Sequence, residues 1–90
     1  MDLTVETKDY KLCYQRLEMS YIHNFISEKI RKDAEIFANY VLTKKEVRGL
    51  IEKIKTCDFP SNEQREKFVN ELSNMEMLMC GDEKASFCFW

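Results

Sequence analysis

The chain has one proline, two glycines and one histidine among its 90 residues. Two glycines are too few for a glycine-rich phosphate loop, and no two-glycine nucleotide fingerprint is present. The same scarcity leaves little material for the tight turns a sheet-rich fold needs, and so favours a few long helices. The single His23 restricts nucleophilic catalysis to one pairing with a thiol and a third, orienting group. Beside Ile22 on a periodic apolar stretch, it reads instead as a histidine at a helix surface or helix–helix seam.

The four cysteines, Cys13, Cys57, Cys80 and Cys88, include no CxxC pair. Structural zinc sites usually draw their ligands in such closely spaced pairs, so no metal site is expected. The opening MDLTVETKDY has neither a basic patch nor an apolar run, which is not the form of a secretory signal. Free thiols in a reducing, intracellular compartment follow as the expectation. No stretch approaches the ~18 apolar residues of a bilayer span, so no membrane partner is expected. No carboxylate pair stands out either, and Glu63, Glu66, Glu71 and Glu76 read as a solvated helix face. The expectation is a protein without cofactor or catalytic residues.

What is present is the material of a folded chain: 44% hydrophobic, 12% aromatic and 33% charged residues. The length fits one domain over residues 1–90, small enough to be marginally stable alone. Ile22, Phe25, Ile26, Ile30, Ala34, Phe37 and Val41 recur at three- and four-residue steps. This spacing predicts a long helix over about 20–42, which can begin as early as Asp9 and take in Leu12, Cys13 and Leu17. Ile36 and Tyr40 widen its apolar arc.

Thr43-Lys44-Lys45-Glu46 is a capping box that starts a second helix over 43–57, with Val47, Leu50, Ile51 and Ile54 on one face. Gly49 within it points to close approach of a neighbouring backbone. Cys57-Asp58-Phe59-Pro60 would end it. Ser61-Asn62-Glu63-Gln64 is a second box, opening a third helix over 61–80 with Phe68, Val69, Leu72, Met75 and Met79 inward and Gly81 as terminator. The predicted fold is all-α, a compact bundle of three helices. Its core would comprise Ile22, Phe25, Ile26, Phe37, Val41, Val47, Leu50, Ile51, Ile54, Phe68, Leu72 and Met75. Leu3–Thr7 alternates weakly as a short strand would. Ser86–Trp90 is an aromatic tail, free either to pair with that segment or to fold back on the helices.

Charge is uneven. Residues 29–57 hold eight basic and four acidic residues, whereas residues 58–90 hold three and seven. Lys44, Lys45, Arg48, Lys53 and Lys55 on the second helix are candidates for an anionic partner, or for the acidic third helix. A DNA-reading helix-turn-helix fits poorly. Its turn would be Tyr40-Val41-Leu42-Thr43, without glycine, and Phe37 would stand where a small residue is wanted.

The other resource is adaptable apolar surface. Met77 and Leu78 project off the inner stripe, and Phe87, Phe89 and Trp90 follow shortly after. Thioethers and large aromatics are favoured at binding surfaces. These five residues are the candidate partner-binding set. The functional expectation is a non-catalytic protein-binding module: an adaptor, an assembly subunit, or a small inhibitor of a larger protein of the kind viruses and phages encode. A twofold homodimer through the third helix and the aromatic tail would cover the same patch. The alternative is a nucleic-acid-binding module that uses the basic second helix.

Overall fold

The computed structural model describes residues 2–14, 20–56 and 62–90. It corrects the all-α expectation. Three helices lie with a four-stranded antiparallel sheet, in the chain order β1 (Leu3–Glu6), β2 (Lys11–Tyr14), α1 (Ser20–Ile30), β3 (Asn39–Thr43), α2 (Lys44–Lys55), α3 (Asn62–Leu78) and β4 (Lys84–Phe89). The strands run β2-β1-β4-β3 across the sheet. This is an α+β layer pair, not a helical bundle.

The aromatic tail is the reason. Ser86-Phe87-Cys88-Phe89 alternates with the period of a strand, and β4 inserts between β1 and β3. Ala85, Phe87 and Phe89 are buried on one face with Leu3, Val5 and Leu42. Phe87 stands opposite Val5 on one side and Tyr40 on the other. Phe87 and Phe89 are thus core residues, and their assignment to a partner surface is withdrawn. Leu12 and Cys13 belong to β2, so the first helix does not reach back to Asp9. Leu17 lies outside the described residues.

The inward sheet residues share one core cluster with the helices. Val47, Leu50, Ile51 and Ile54 of α2 and Phe68, Val69, Leu72 and Met75 of α3 are buried, as are Ile22 and Ile26 of α1. The Thr43 capping box forms as the spacing predicted: the Thr43 hydroxyl accepts from the Glu46 amide, and the Glu46 carboxylate accepts from the Thr43 amide at 2.9 Å. The Cys57–Pro60 stop and Ser61, the cap of the second box, lie outside the described residues, while Asn62, Glu63 and Gln64 open α3. Among the described residues, outside its own helix, no backbone comes within 4 Å of a methyl group built at Gly49, and the Phe25 ring alone reaches it, at 4.0 Å. The acidic face of α3 is not uniformly solvated. Glu76 is buried and takes Arg48 Nη2 at 2.7 Å, and Glu71 accepts from the Tyr14 hydroxyl at 3.3 Å.

The long first helix stops at Ile30. Arg31 adopts a left-handed conformation (φ 61°), and the Lys32 amide donates back to the Ser27 carbonyl at 3.2 Å. This is the geometry of a Schellman cap, built without the usual glycine. Two α1 side chains then clamp the following turn. Ser27 Oγ accepts from the Ala34 amide at 3.0 Å, and His23 Nε2 donates to the Ala34 carbonyl at 2.9 Å. His23 also packs edge-on against Phe89. The chain is thereby redirected from helix into β3, and Phe37 and Val41, read from spacing as core, emerge exposed. Phe25 is half-buried beside the core. No helix among the described residues is long and apolar enough to cross a membrane.

Candidate docking surface

The turn between α1 and β3 is pinned along its length. Ala34 is held at both its amide and its carbonyl, the Glu35 amide donates to the Tyr40 hydroxyl at 2.7 Å, and the Phe37 amide donates to the Phe89 carbonyl at 2.7 Å. Ile36 makes a parallel bridge with Phe89. These bonds hold Phe37 at φ 66°, a conformation that costs a side chain with a Cβ about 1–2 kcal/mol and is rare for a bulky one. The phenyl ring gains little burial in return, being 78% exposed.

Ile36 beside it in the chain is 52% exposed, Val41 on β3 50% and Trp90 at the end of β4 42%. The Trp90 indole N–H donates to Thr4 Oγ1 at 2.9 Å, which fixes that ring over the first strand. Alternation along the strands puts Val41, Trp90, Thr4 and Cys88 on the sheet face opposite the helices. Ile36, Phe37 and Val41 form an exposed apolar corner at the start of β3, while Trp90 turns away from it over β1.

The residues singled out by sequence divide differently. Met77 and Leu78 are exposed at the end of α3, near the start of β4, while Trp90 is at the other end of that strand. Six residues of strand separate the two by roughly 20 Å, so they do not make one patch. Ile36, Phe37 and Val41 were missed as surface because their spacing fits a helix that stops short of them. The signal against burial was Tyr40-Val41-Leu42-Thr43, a run of good strand formers directly before a helix cap.

The basic set is largely engaged inside the molecule. Lys44 Nζ donates to the Met79 carbonyl at 2.8 Å, closing the end of α3. Arg48 pairs with Glu76, Lys53 with Glu28, and Lys55 with Glu52. Lys45 is exposed, with no ion pair to a described residue. Between α1 and α2 lies a cavity of about 270 Å³ lined by Phe25, Glu28, Lys53 and Thr56 among others, in which the Lys53 ammonium sits 5.7 Å from the Phe25 ring centre. Among the described residues no three histidine, cysteine or carboxylate side chains gather as a metal site would require. Cys13, Cys80 and Cys88 are free thiols.

One group, Tyr14, has an altered proton affinity. Burial, then the neighbouring Glu71 charge and its hydrogen bond, raise the Tyr14 phenol well above its ordinary value. Its ring stands edge-on to Phe68 at 4.7 Å. This pair ties β2 to α3 and is remote in the sheet order from the β3 corner. No protein-family model, curated protein or solved structure matches the chain.

Proposed function

We propose that the chain is a non-catalytic protein-binding module that works inside the cell, as an adaptor, assembly subunit or small inhibitor, through the corner formed by Ile36, Phe37 and Val41. The observation that carries this reading is Phe37. A glycine or asparagine at that position would meet the same backbone geometry with less strain. A phenylalanine held there against its own preference, with its ring in solvent, is spent on a surface. Aromatic side chains presented from a pinned backbone are what protein interfaces use as anchors.

The nucleic-acid alternative has less support, because Lys44, Arg48, Lys53 and Lys55 already have partners within the fold. Phosphate binding would have to displace them.

The variant Phe37→Gly separates function from stability. It removes an exposed ring and a strained backbone, so the unfolding midpoint should hold or rise. Affinity recovery from extract of the native cell, compared between wild type and variant, should show a partner lost with Phe37→Gly. Equal recovery by both would sink the corner as the binding site. Micromolar binding to duplex or single-stranded DNA, weakening steeply with salt, would favour the alternative.

A further inference from the structure

The same corner contains a strand edge that no described strand pairs, and its hydrogen-bonding pattern can be read residue by residue. Asp2 and Trp90 exchange both amide–carbonyl bonds, at 2.7 and 2.9 Å. In an antiparallel ladder the bonded side alternates from residue to residue. Cys88 and Ser86 therefore turn their backbone groups towards β1, and Phe89, Phe87 and Ala85 turn theirs towards β3. The Phe37 amide bond to the Phe89 carbonyl agrees. On β3, Tyr40 and Leu42, opposite Phe87 and Ala85, are the residues that face inward. Asn39 and Val41 then direct their amides and carbonyls away from the sheet. Thr43 has the same outward parity, and its amide is taken by Glu46 Oε1.

We propose that the partner at this edge is a second copy of the chain, with β3 pairing antiparallel to β3 about a twofold axis at Tyr40, so that two four-stranded sheets join into one of eight. The proposal rests on the protein-binding reading of the corner and names its occupant.

Three twofold registers would set outward-facing residues against one another, and the structure selects among them. Centring on Asn39 sets Val41 against the partner subunit's Phe37, whose amide is already bonded to the Phe89 carbonyl. Centring on Val41 sets Asn39 against the partner subunit's Thr43, whose amide is held in the helix cap. Centring on Tyr40 sets Asn39 against the partner subunit's Val41 and Val41 against the partner subunit's Asn39. Every amide used is then one left open by the fold, and the two pairs exchange four hydrogen bonds.

The flanking charges agree with this register. Lys45, which has no ion pair to a described residue, follows the strand, and the exposed Glu35 precedes it. Antiparallel pairing about Tyr40 brings each Lys45 towards the other subunit's Glu35. The pairing also covers exposed Val41 and sets Phe37 beside the other subunit's Thr43. Strand edges that must stay single are commonly blocked by lysine, proline or an inward charge. Asn39-Tyr40-Val41-Leu42-Thr43 has none of these, whereas β2, at the other edge, begins with Lys11.

The test is sedimentation of the full chain at ~1 to 100 µM and low salt. The wild type should show a dimer, with exchange of the Asn39 and Val41 amides slowing as concentration rises. Val41→Pro removes a donor that the monomer does not use, at an edge position where proline is tolerated, so it should stay folded and sediment as a monomer. Lys45→Glu and Glu35→Lys should each weaken dimerisation roughly fivefold or more, because two symmetry-related contacts turn from attraction to repulsion. The double variant should recover the wild-type constant. A monomeric wild type at the highest concentration overturns the proposal, as does a Val41→Pro variant as dimeric as the wild type. A double variant no tighter than the single ones overturns it too. A monomer combined with partner loss in Phe37→Gly would reject self-pairing and leave the protein-binding reading standing.

Discussion

Replacing Phe87 by alanine tests the central claim about the fold, namely that the aromatic tail is the middle of the sheet and not an arm on its surface. Phe87 has no solvent exposure, sits on an inner strand, and has Val5 and Tyr40 as its cross-strand neighbours. Truncation to alanine removes a buried phenyl group and leaves a cavity between the sheet and the helices. Losses of this kind amount to about 3–5 kcal/mol. A domain of this size holds about 5–13 kcal/mol in total, so the variant should be marginal at room temperature. Its melting temperature should fall by roughly 12–40 °C, at ~4–8 °C per kcal/mol.

Trp90→Ala is the control: the ring is partly in solvent, and the loss should be about 1 kcal/mol. Urea titration followed by far-ultraviolet dichroism gives both values, with an unchanged slope as the sign that the denatured state is the same. For the same reason, deleting residues 86–90 should abolish folding altogether and not merely release a dimer. A Phe87→Ala loss below ~1 kcal/mol would refute the placement of β4, since no fully buried phenylalanine in a packed core is that cheap to remove.

Gly49→Ala should stabilise the chain by about 1 kcal/mol, because α2 gains helix propensity and the added methyl reaches only the Phe25 ring at van der Waals distance. Thermal melting checks it, and a lowered midpoint would mean that a backbone does approach Gly49 closely. Tyr14→Phe should alter the alkaline limb of stability. The folded phenol keeps its proton above pH ~10, where the unfolded one releases it, so the stability it contributes is complete below pH ~10 and declines as pH rises further. The wild-type advantage over Tyr14→Phe in urea midpoint should therefore shrink between pH 9 and 11, and a constant difference would count against the buried pairing with Glu71.

The parts of the fold legible in the sequence were those specified by neighbours in the chain. The Thr43–Glu46 box fixes the start of α2 through groups three residues apart, and the inner faces of α2 and α3 follow from apolar spacing within each helix. The sheet was not legible in this way. β1 meets β4 across nearly the whole chain, with Leu3 opposite Phe89, and nothing local to either segment records the other. Alternation in the tail allowed a strand and left its partner open. The end of α1 failed for a different reason. Ile30, Ala34, Phe37 and Val41 keep helical spacing by coincidence, and the stop signal is an arginine in a conformation usually given to glycine. That stop is set by Ser27 and His23 gripping Ala34, bonds that exist only once α1 is formed.

The candidate surface was hidden by the same event, and this links its two unusual residues. Arg31 and Phe37 bracket one short turn, both at positive φ. For Arg31 the strain is offset locally: it closes the helix, and its long side chain is at home in solvent. For Phe37 the only local return is the amide bond to the Phe89 carbonyl, and any residue but proline supplies that amide. What phenylalanine alone supplies is the ring, and with Phe37 78% exposed its burial does little to account for its cost. Departures from local preference without an internal return concentrate at functional positions. The turn that ends the helix therefore does two things. It turns the chain into the edge strand β3, and it holds an exposed aromatic ring beside the hydrogen-bonding groups of Asn39 and Val41.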